Sequence, residues 1–151
     1  MTRLFLFASL VVVAASAAPA GAVIHPGHSI AGVELGMTRA EVRAELGPPA
    51  RVIRGRNVFG PYRTLRYFRL WVTFQGEQAA SAIKTTRLRE RTPRGVGVKS
   101  TRAQLLANVR GVRCATRTLC EKGRLTPGSR VTVFRLFRGR VTTVLVGLVI
   151  D

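Results

Sequence analysis

Acidic residues, histidine and cysteine are scarce in this 151-residue sequence. It contains seven Asp and Glu, two His and two Cys, against 25 Lys and Arg. So few carboxylates and histidines disfavour acid–base and Ser-His-acid catalysis, and no Gly-x-Ser-x-Gly, Walker or dinucleotide-binding fingerprint occurs. Two cysteines are too few for a typical zinc protein. We therefore expect a protein that is not an enzyme and that holds no metal ion or other cofactor.

The histidines and the paired carboxylates have plainer explanations than a functional site. His25 and His28 lie near the expected mature N-terminus, and no Cys or carboxylate stands at metal-ligand spacing from them. We expect both to be solvent-exposed terminal residues. Glu41 and Glu45 would share one helix face, but Glu41 fits a helix cap and Glu45 fits an exposed position beside Arg43.

The N-terminus has the pattern of a cleavable signal peptide. Arg3 precedes an apolar run at residues 4–18, and small residues suited to cleavage follow up to Ala22. An uncleaved membrane anchor is the alternative, but the run is shorter than the roughly 20 residues that span a bilayer. We predict a signal peptide at residues 1–22 and a secreted, monomeric mature protein with no transmembrane segment. No Cys follows the run, so we expect no lipid anchor.

If the protein is exported, its two cysteines are expected to be oxidised. Cys114 and Cys120 are the only cysteines and lie close together in the chain. In an oxidising compartment such a pair is most simply one disulfide bond. A redox-active pair is the alternative, but the spacing is not Cys-x-x-Cys and no thioredoxin-like context surrounds it. We predict a structural disulfide between Cys114 and Cys120.

Two parts of the chain resemble each other at one constant offset. Residues 32–46 align with residues 95–109, and Phe74-Gln75-Gly76 aligns with Phe137-Arg138-Gly139 at the same offset. Agreement at both ends of the unit indicates internal duplication. We predict two repeat units, at residues 23–92 and 93–151.

Each unit begins with a predicted helix. Thr38 with Glu41, and Thr101 with Gln104, have the spacing of a capping box, in which the threonine hydroxyl and the third residue satisfy each other's backbone N–H groups. Gly47 and Gly111 are expected to end the two helices. At about ten residues each, the helices need a sheet to pack on.

Strand patterns follow each helix. Phe68, Leu70, Val72 and Phe74 alternate with more polar residues, and residues 80–88 return as a second strand after a turn. In the second unit, residues 130–137 and 140–150 form a hairpin, while 52–58 and 113–125 add edge strands or ordered loops. We predict an α+β protein of two tandem helix-plus-antiparallel-hairpin units, with the helices packed on one sheet face.

The first helix carries a family resemblance. Gly32-Val33-Glu34-Leu35-Gly36-Met37-Thr38, followed by Glu41, Val42, Leu46, Gly47 and Pro49, resembles the opening helix of the SmpA/OmlA (BamE-type) envelope lipoproteins. The same element occurs in the β-lactamase-inhibitor-protein-like fold, a tandem duplication of a helix-plus-sheet unit. The resemblance implies a non-catalytic envelope or secreted protein that binds another protein. The chain departs from the lipoproteins because it has no lipid-attachment Cys.

The positive charge restricts the partners. The formal net charge is +18, and all but three of the basic residues are Arg. One interpretation of this excess is arginine codon bias in a GC-rich genome. The functional alternative is bidentate binding of carboxylate or phosphate groups. Nucleic acid remains chemically possible, but an exported protein seldom meets it, so no nucleic-acid partner is expected.

Aromatic and cationic residues on one strand suggest a binding face. Tyr67, Arg69 and Trp71 alternate with the apolar residues of the predicted strand, and Tyr, Trp and Arg are enriched at binding hot spots. The alternative is that helices cover this face and that Trp71 belongs to the core. We predict a secreted or envelope-associated protein-binding module, inhibitor-like or assembly-factor-like, with an acidic protein partner. The alternative function is electrostatic binding of an anionic envelope polymer or lipid.

Overall fold

A computed structural model describes residues 23–76 and 78–150 of the chain, so the predicted signal peptide lies outside the described residues. The elements in chain order are β1 (Ile24–His25), β2 (Ser29–Ile30), β3 (Val33–Glu34), α1 (Arg39–Leu46), β4 (Arg51–Asn57), β5 (Gly60–Tyr67), β6 (Leu70–Gln75), β7 (Ala82–Thr85), α2 (Arg102–Asn108), β8 (Arg113–Cys114), β9 (Leu119–Gly123), β10 (Arg130–Phe137) and β11 (Arg140–Leu148).

Most of the strands belong to one antiparallel sheet. Its eight strands have the order β4-β5-β6-β7-β11-β10-β9-β8, and a separate three-stranded sheet is formed by β1, β2 and β3. Strands β4–β7 come from the range of the predicted first unit, and β8–β11 come from that of the second. The two sets meet where β7 pairs with β11, from Thr85 opposite Val144 to Ala82 opposite Gly147.

The predicted fold class is wrong. The protein is mostly β, with two helices of eight and seven residues among the described residues, and it does not form two tandem helix-plus-hairpin units. Four strands follow each helix instead of two, and all eight form one continuous sheet. The pairing of β7 with β11 causes this difference, because it joins segments about 60 residues apart in the chain and leaves no local sequence pattern.

Both capping boxes are confirmed. The Thr38 N–H donates to Glu41 Oε2 at 2.7 Å, and the Glu41 N–H donates to Thr38 Oγ1 at 3.3 Å. At α2 the Thr101 N–H donates to Gln104 Oε1 at 2.8 Å, and the Gln104 N–H donates to Thr101 Oγ1 at 3.1 Å. Helix α1 ends at Gly47 as predicted, with a φ of 78°, whereas α2 ends earlier than predicted, at a C-cap on Val109.

The hydrophobic core lies on one face of the large sheet, the core face. Alternate strand residues point into it because side chains in a strand alternate between faces. Both helices and the three-stranded sheet contribute buried residues to the same cluster, which shows that they pack on this face. Fully buried members are Ile24, Ile30, Val33, Val42, Leu65, Leu70, Val72, Phe74, Ala80, Ile83, Leu105, Cys120, Phe134, Val141, Val144 and Val146.

The predicted disulfide bond is confirmed. Cys114 in β8 and Cys120 in β9 lie directly opposite each other and are bonded. The bond ties the short edge strand β8 to the sheet. No helix within the described residues is both long enough and apolar enough to cross a bilayer.

Candidate binding surfaces

The three residues predicted to form one binding face lie in different environments. Tyr67 points into the core face, is 6% exposed, and donates its hydroxyl to the Gly47 carbonyl at 3.2 Å. Its burial raises the pKa of the phenol, an effect that nearby Arg43 partly opposes. Arg69 lies in the β5–β6 turn. Trp71 lies on the opposite face of the sheet from Tyr67.

A turn separates Tyr67 from Trp71. The expected continuous strand from Tyr67 to Phe74 is interrupted at Phe68 and Arg69, which connect β5 to β6. Arg69 has a φ of 53°, in the left-handed region that turns require. The turn places Tyr67 opposite Leu70 across the two strands, so both point to the core. No Gly, Pro or Asn marks this turn, so sequence patterns gave no signal for it.

The face that carries Trp71, the open face, is covered by neither helix, because all the described elements outside the large sheet pack on the core face. Trp71 is half-buried, and the Lys84 ammonium lies 4.2 Å from the centre of its ring. Beside this pair, the hydroxyls of Thr64 and Thr73 lie 2.9 Å apart and share a hydrogen bond. The open face thus presents an aromatic residue with a cation stacked on it.

The strand register places one row of residues across the whole open face. In order from β4 to β8, the row is Arg51, Arg66, Trp71, Lys84, Leu145, Val133, Glu121 and Arg113. Its middle consists of Trp71, Lys84, Leu145 and Val133. Its two ends carry arginine, with Glu121 beside Arg113. This arrangement combines the residue types that dominate protein-binding energy with cations at the rim.

A second surface lies at one end of the sheet, where three connections come together. The β5–β6 turn precedes Leu70, which pairs with Thr85 at the end of β7. Thr85 pairs with Val144 in the middle of β11, and β11 begins at Arg140, beyond this pair on the side of the segment after β7. The β5–β6 turn, the segment after β7 and the β10–β11 turn therefore lie at the same end. We call the residues at these three apices the tip cluster, which consists of Phe68, Arg69, Leu88, Phe137 and Arg138.

The tip cluster contains three exposed apolar side chains. Phe68 is 79% exposed, Phe137 is 62% exposed and Leu88 is 51% exposed. The guanidinium of Arg138 lies 5.2 Å from the Phe137 ring centre, and that of Arg69 lies 6.0 Å from the Phe68 ring centre. Each phenylalanine of the tip cluster therefore has an arginine beside its ring.

Two clefts run between these apices. The first, about 560 Å³ in volume, is lined by Arg69, Thr86, Leu88, Val98, Lys99, Phe137, Arg138, Arg140, Val141 and Thr142. The second, about 450 Å³, is lined by Phe68, Arg69, Arg87, Leu88 and Arg89. Neither lining contains a carboxylate. A third cleft includes Phe68, Arg69 and Trp71, so the tip cluster and the open face adjoin at the β5–β6 turn.

A buried glutamate supports the β5–β6 turn. Glu90 is fully buried, accepts from the Thr85 hydroxyl at 3.0 Å, and pairs with Arg87 at 3.4 Å and Arg89 at 3.1 Å. Arg87 in turn donates through Nε to the Phe68 carbonyl, and the Thr86 N–H donates to the Arg69 carbonyl at 3.0 Å. Glu90 was not among the residues predicted from the sequence, where its only signal is the spacing of three residues from Arg87.

The two histidines lie in the first hairpin of the small three-stranded sheet. His25 and His28 are exposed, as expected, but they lie in the β1–β2 hairpin rather than in a loose tail. His28 Nδ1 lies 3.1 Å from Arg130 Nη1, a cation. Within residues 23–76 and 78–150, no three side chains of His, Cys, Asp or Glu come close enough together to hold a metal ion.

The fold is similar to that of a solved extracellular protein. The chain superposes with a TM-score of 0.50 and 10% sequence identity on an extracellular protein containing an SCP domain from Bacillus anthracis strain Ames. The likeness covers 75% of this chain and 43% of that one, so this chain spans less than half of the length of the protein it matches. No protein-family model matches the chain, and no curated protein is similar to it in sequence. At 10% identity, the similarity is one of fold alone.

Proposed function

We propose that the protein is an extracytoplasmic protein-binding module without catalytic activity and that the open face binds its partner. The observation that carries the proposal is an eight-stranded sheet whose second face is left open by the described elements, with half-buried Trp71 beneath Lys84 near its middle. A rigid aromatic side chain loses little conformational entropy on binding, which is why such residues often dominate binding energy.

Three features support a location outside the cytoplasm. The Cys114–Cys120 disulfide is typical of oxidising compartments. The sequence begins with the pattern of a signal peptide. The solved protein with a similar fold is described as extracellular.

The positions of the acidic residues support a non-catalytic role. Glu41 is engaged in the α1 capping box, and Glu90 is buried among its arginine and threonine partners. Glu121 lies directly opposite Arg113 on the open face. These three carboxylates have structural surroundings, and none of them has a histidine partner for acid–base chemistry.

The charge of the open face favours an acidic protein partner. Arg51 and Arg66 lie opposite each other at one end of the central row, and Arg113 lies at the other end. Complementary charge at a rim accelerates association and selects orientation, while the central contacts determine the dissociation rate. We therefore expect an association rate that falls as salt rises and a dissociation rate that depends on Trp71.

The test is partner capture by the exported, oxidised protein. We expect immobilised wild type to retain a protein from envelope or culture-medium fractions, and Trp71→Ala to retain much less of it. With the captured protein purified, calorimetric titration should show an affinity about tenfold to thirtyfold weaker for Trp71→Ala than for wild type, the range of a central aromatic contact. Phe59→Ala is the matched control, because Phe59 is an exposed aromatic residue in the β4–β5 turn.

Two results would contradict the proposal. Retention of no protein partner by the folded wild type would overturn the binding function. Equal affinities of Trp71→Ala, Phe59→Ala and wild type would overturn the assignment of the open face. If moderate salt released the partner equally from wild type and from Trp71→Ala, the partner would be held by the overall charge of the protein instead.

A further inference from the structure

We infer that the tip cluster binds the surface of a bilayer that contains anionic lipids. Phe68, Leu88 and Phe137 would enter the interface between headgroups and acyl chains, and the arginines around them would contact lipid phosphates. This site is separate from the partner site proposed on the open face, and neither requires the other.

The first argument is the exposure of the three apolar side chains. They belong to three different connections that meet at one end of the sheet, and each is more than half exposed. Trp71 on the open face is less exposed than these three side chains, as expected for a residue in the floor of a protein-binding surface. Side chains that project this far from turns suit a deformable bilayer better than a rigid protein surface, which would need a separate socket for each.

The second argument is the charge around these side chains. The first and second clefts of the tip cluster are lined by no carboxylate, and their cationic residues are Arg69, Arg87, Arg89, Lys99, Arg138 and Arg140. The nearby acid, Glu90, is fully buried and already paired. Cations next to a membrane surface are attracted to anionic headgroups, and arginine forms bidentate contacts with phosphate. The aromatic rings and guanidinium groups are adjacent, so one apex can supply both kinds of contact.

The third argument is that the apices are held in place. The Phe68 and Arg69 carbonyls accept hydrogen bonds from Arg87 and from the Thr86 N–H. The β10–β11 turn is held by the Arg102 N–H, which donates to the Gly139 carbonyl at 2.9 Å. Turns braced in this way present the apolar residues without having to order on binding, which lowers the entropic cost of docking.

The test is co-sedimentation with large vesicles of phosphatidylcholine alone or with about one third phosphatidylglycerol. The protein is purified after export and its N-terminus is determined, so that every variant is compared in the same processed form. We expect wild type to bind the anionic vesicles and to bind phosphatidylcholine far more weakly. The double variant Phe68→Ser/Phe137→Ser should bind at least about fivefold more weakly than wild type, because it removes two inserted rings.

A charge variant tests the headgroup contacts. Arg69→Asn/Arg138→Asn should lose about fivefold in binding for each arginine removed, and Asn tolerates the positive φ of both positions. The matched controls are Val58→Ser, an exposed apolar residue in the β4–β5 turn at the other end of the sheet, and Arg56→Gln/Arg124→Gln, which removes the same charge elsewhere. We expect both controls to bind nearly as well as wild type.

A change in tryptophan fluorescence distinguishes insertion of the tip cluster into the bilayer from loss of folding. In Phe68→Trp/Trp71→Phe, the single tryptophan is moved to the tip cluster, and its emission should shift to the blue and be quenched by brominated acyl chains. The same change at position 58, in Val58→Trp/Trp71→Phe, should give no shift.

The inference is overturned by any of three outcomes: no binding to the anionic vesicles, equal loss of binding in the tip variants and their controls, or no blue shift for tryptophan at position 68. Vesicle binding that survives the tip substitutions while capture of a protein partner is lost would show that the tip cluster is a protein site. Trp71→Ala should retain vesicle binding, so failure of this inference and failure of the proposed function can be told apart.

Discussion

At the scale of single residues, the two helix caps differ in one group that titrates. Glu41 accepts from both the N–H and the hydroxyl of Thr38, and these hydrogen bonds lower the pKa of Glu41. A carboxyl whose pKa is lower in the folded state stabilises the protein at neutral pH, and this contribution is lost as the pH falls through the lowered value. Because Gln retains the cap without titrating, Glu41→Gln should reduce the fall in melting temperature between about pH 7 and about pH 3.5.

The second cap provides the reciprocal control. Gln104 occupies the position in α2 that Glu41 occupies in α1, and it makes the same bond to a threonine N–H. Gln104→Glu should therefore increase the loss of melting temperature in acid, opposite in sign to the effect of Glu41→Gln. Identical acid sensitivity of wild type and both variants would show that the caps do not couple to pH.

The capping residues could be predicted from the sequence because a cap is a local motif that spans only four positions. The disulfide could be predicted for a similar reason, since two cysteines leave a single pairing. Phe68 and Glu90 could not be placed correctly. Phe68 matched the alternation of a strand. The partners Thr85 and Arg87 lie close to Glu90 in the chain, but no sequence pattern indicates that a glutamate flanked by arginines is buried.

At the scale of elements, the disulfide stabilises the edge of the large sheet. Strand β8 has two residues and pairs with β9 alone, so the Cys114–Cys120 bond closes a loop of about seven residues at that edge. In the chain-entropy description, such a loop contributes about 2 kcal/mol to the free energy of unfolding. Adding a reductant should lower the stability of the wild type by about this amount in denaturant titrations.

The control for this prediction is Cys114→Ala/Cys120→Ala. The variant should be less stable than oxidised wild type and should not respond to the reductant. Strand β9 should remain paired with β10 in the reduced protein, because five residue pairs join them, and hydrogen exchange of the β9 amides reports this. An unchanged stability of wild type after complete reduction would contradict the prediction.

The last hairpin was predicted well, whereas β5 (Gly60–Tyr67) and the shortest strands were not predicted. The hairpin of β10 and β11 agrees with the predicted strands at 130–137 and 140–150, and its turn contains Arg138 and Gly139 as expected. Strands β1, β2 and β3 have two residues each, too few for an alternating pattern to be visible. Their pairing is determined by turns and by packing against the large sheet.

At the scale of the whole molecule, the decisive contact is the pairing of β7 with β11. The sequence similarity between the two halves predicted two tandem repeat units, but it contained no information on which strands would pair across the boundary. Ile83 in β7 is fully buried and lies directly between Val72 of β6 and Val146 of β11. The core therefore continues across the boundary between the two predicted units.

Ile83→Ala tests whether the halves unfold together. Truncating a fully buried isoleucine should lower the free energy of unfolding by about 2–5 kcal/mol. Since the sheet is continuous, we expect both wild type and Ile83→Ala to unfold in a single transition, with the fluorescence of Trp71 and the far-ultraviolet circular dichroism changing at the same denaturant concentration. Trp71 is the single tryptophan and lies in β6, so its fluorescence reports on the first set of strands.

The exposed residue Val58 supplies the comparison, since Val58→Ala should leave the stability almost unchanged. A Trp71 transition separated from the circular dichroism transition, in wild type or in Ile83→Ala, would show that the strands from the two halves unfold independently. In that case the open face could be disrupted locally while the rest of the protein stayed folded. A single transition instead means that the open face and the tip cluster, which both draw residues from the two halves, are present or lost together.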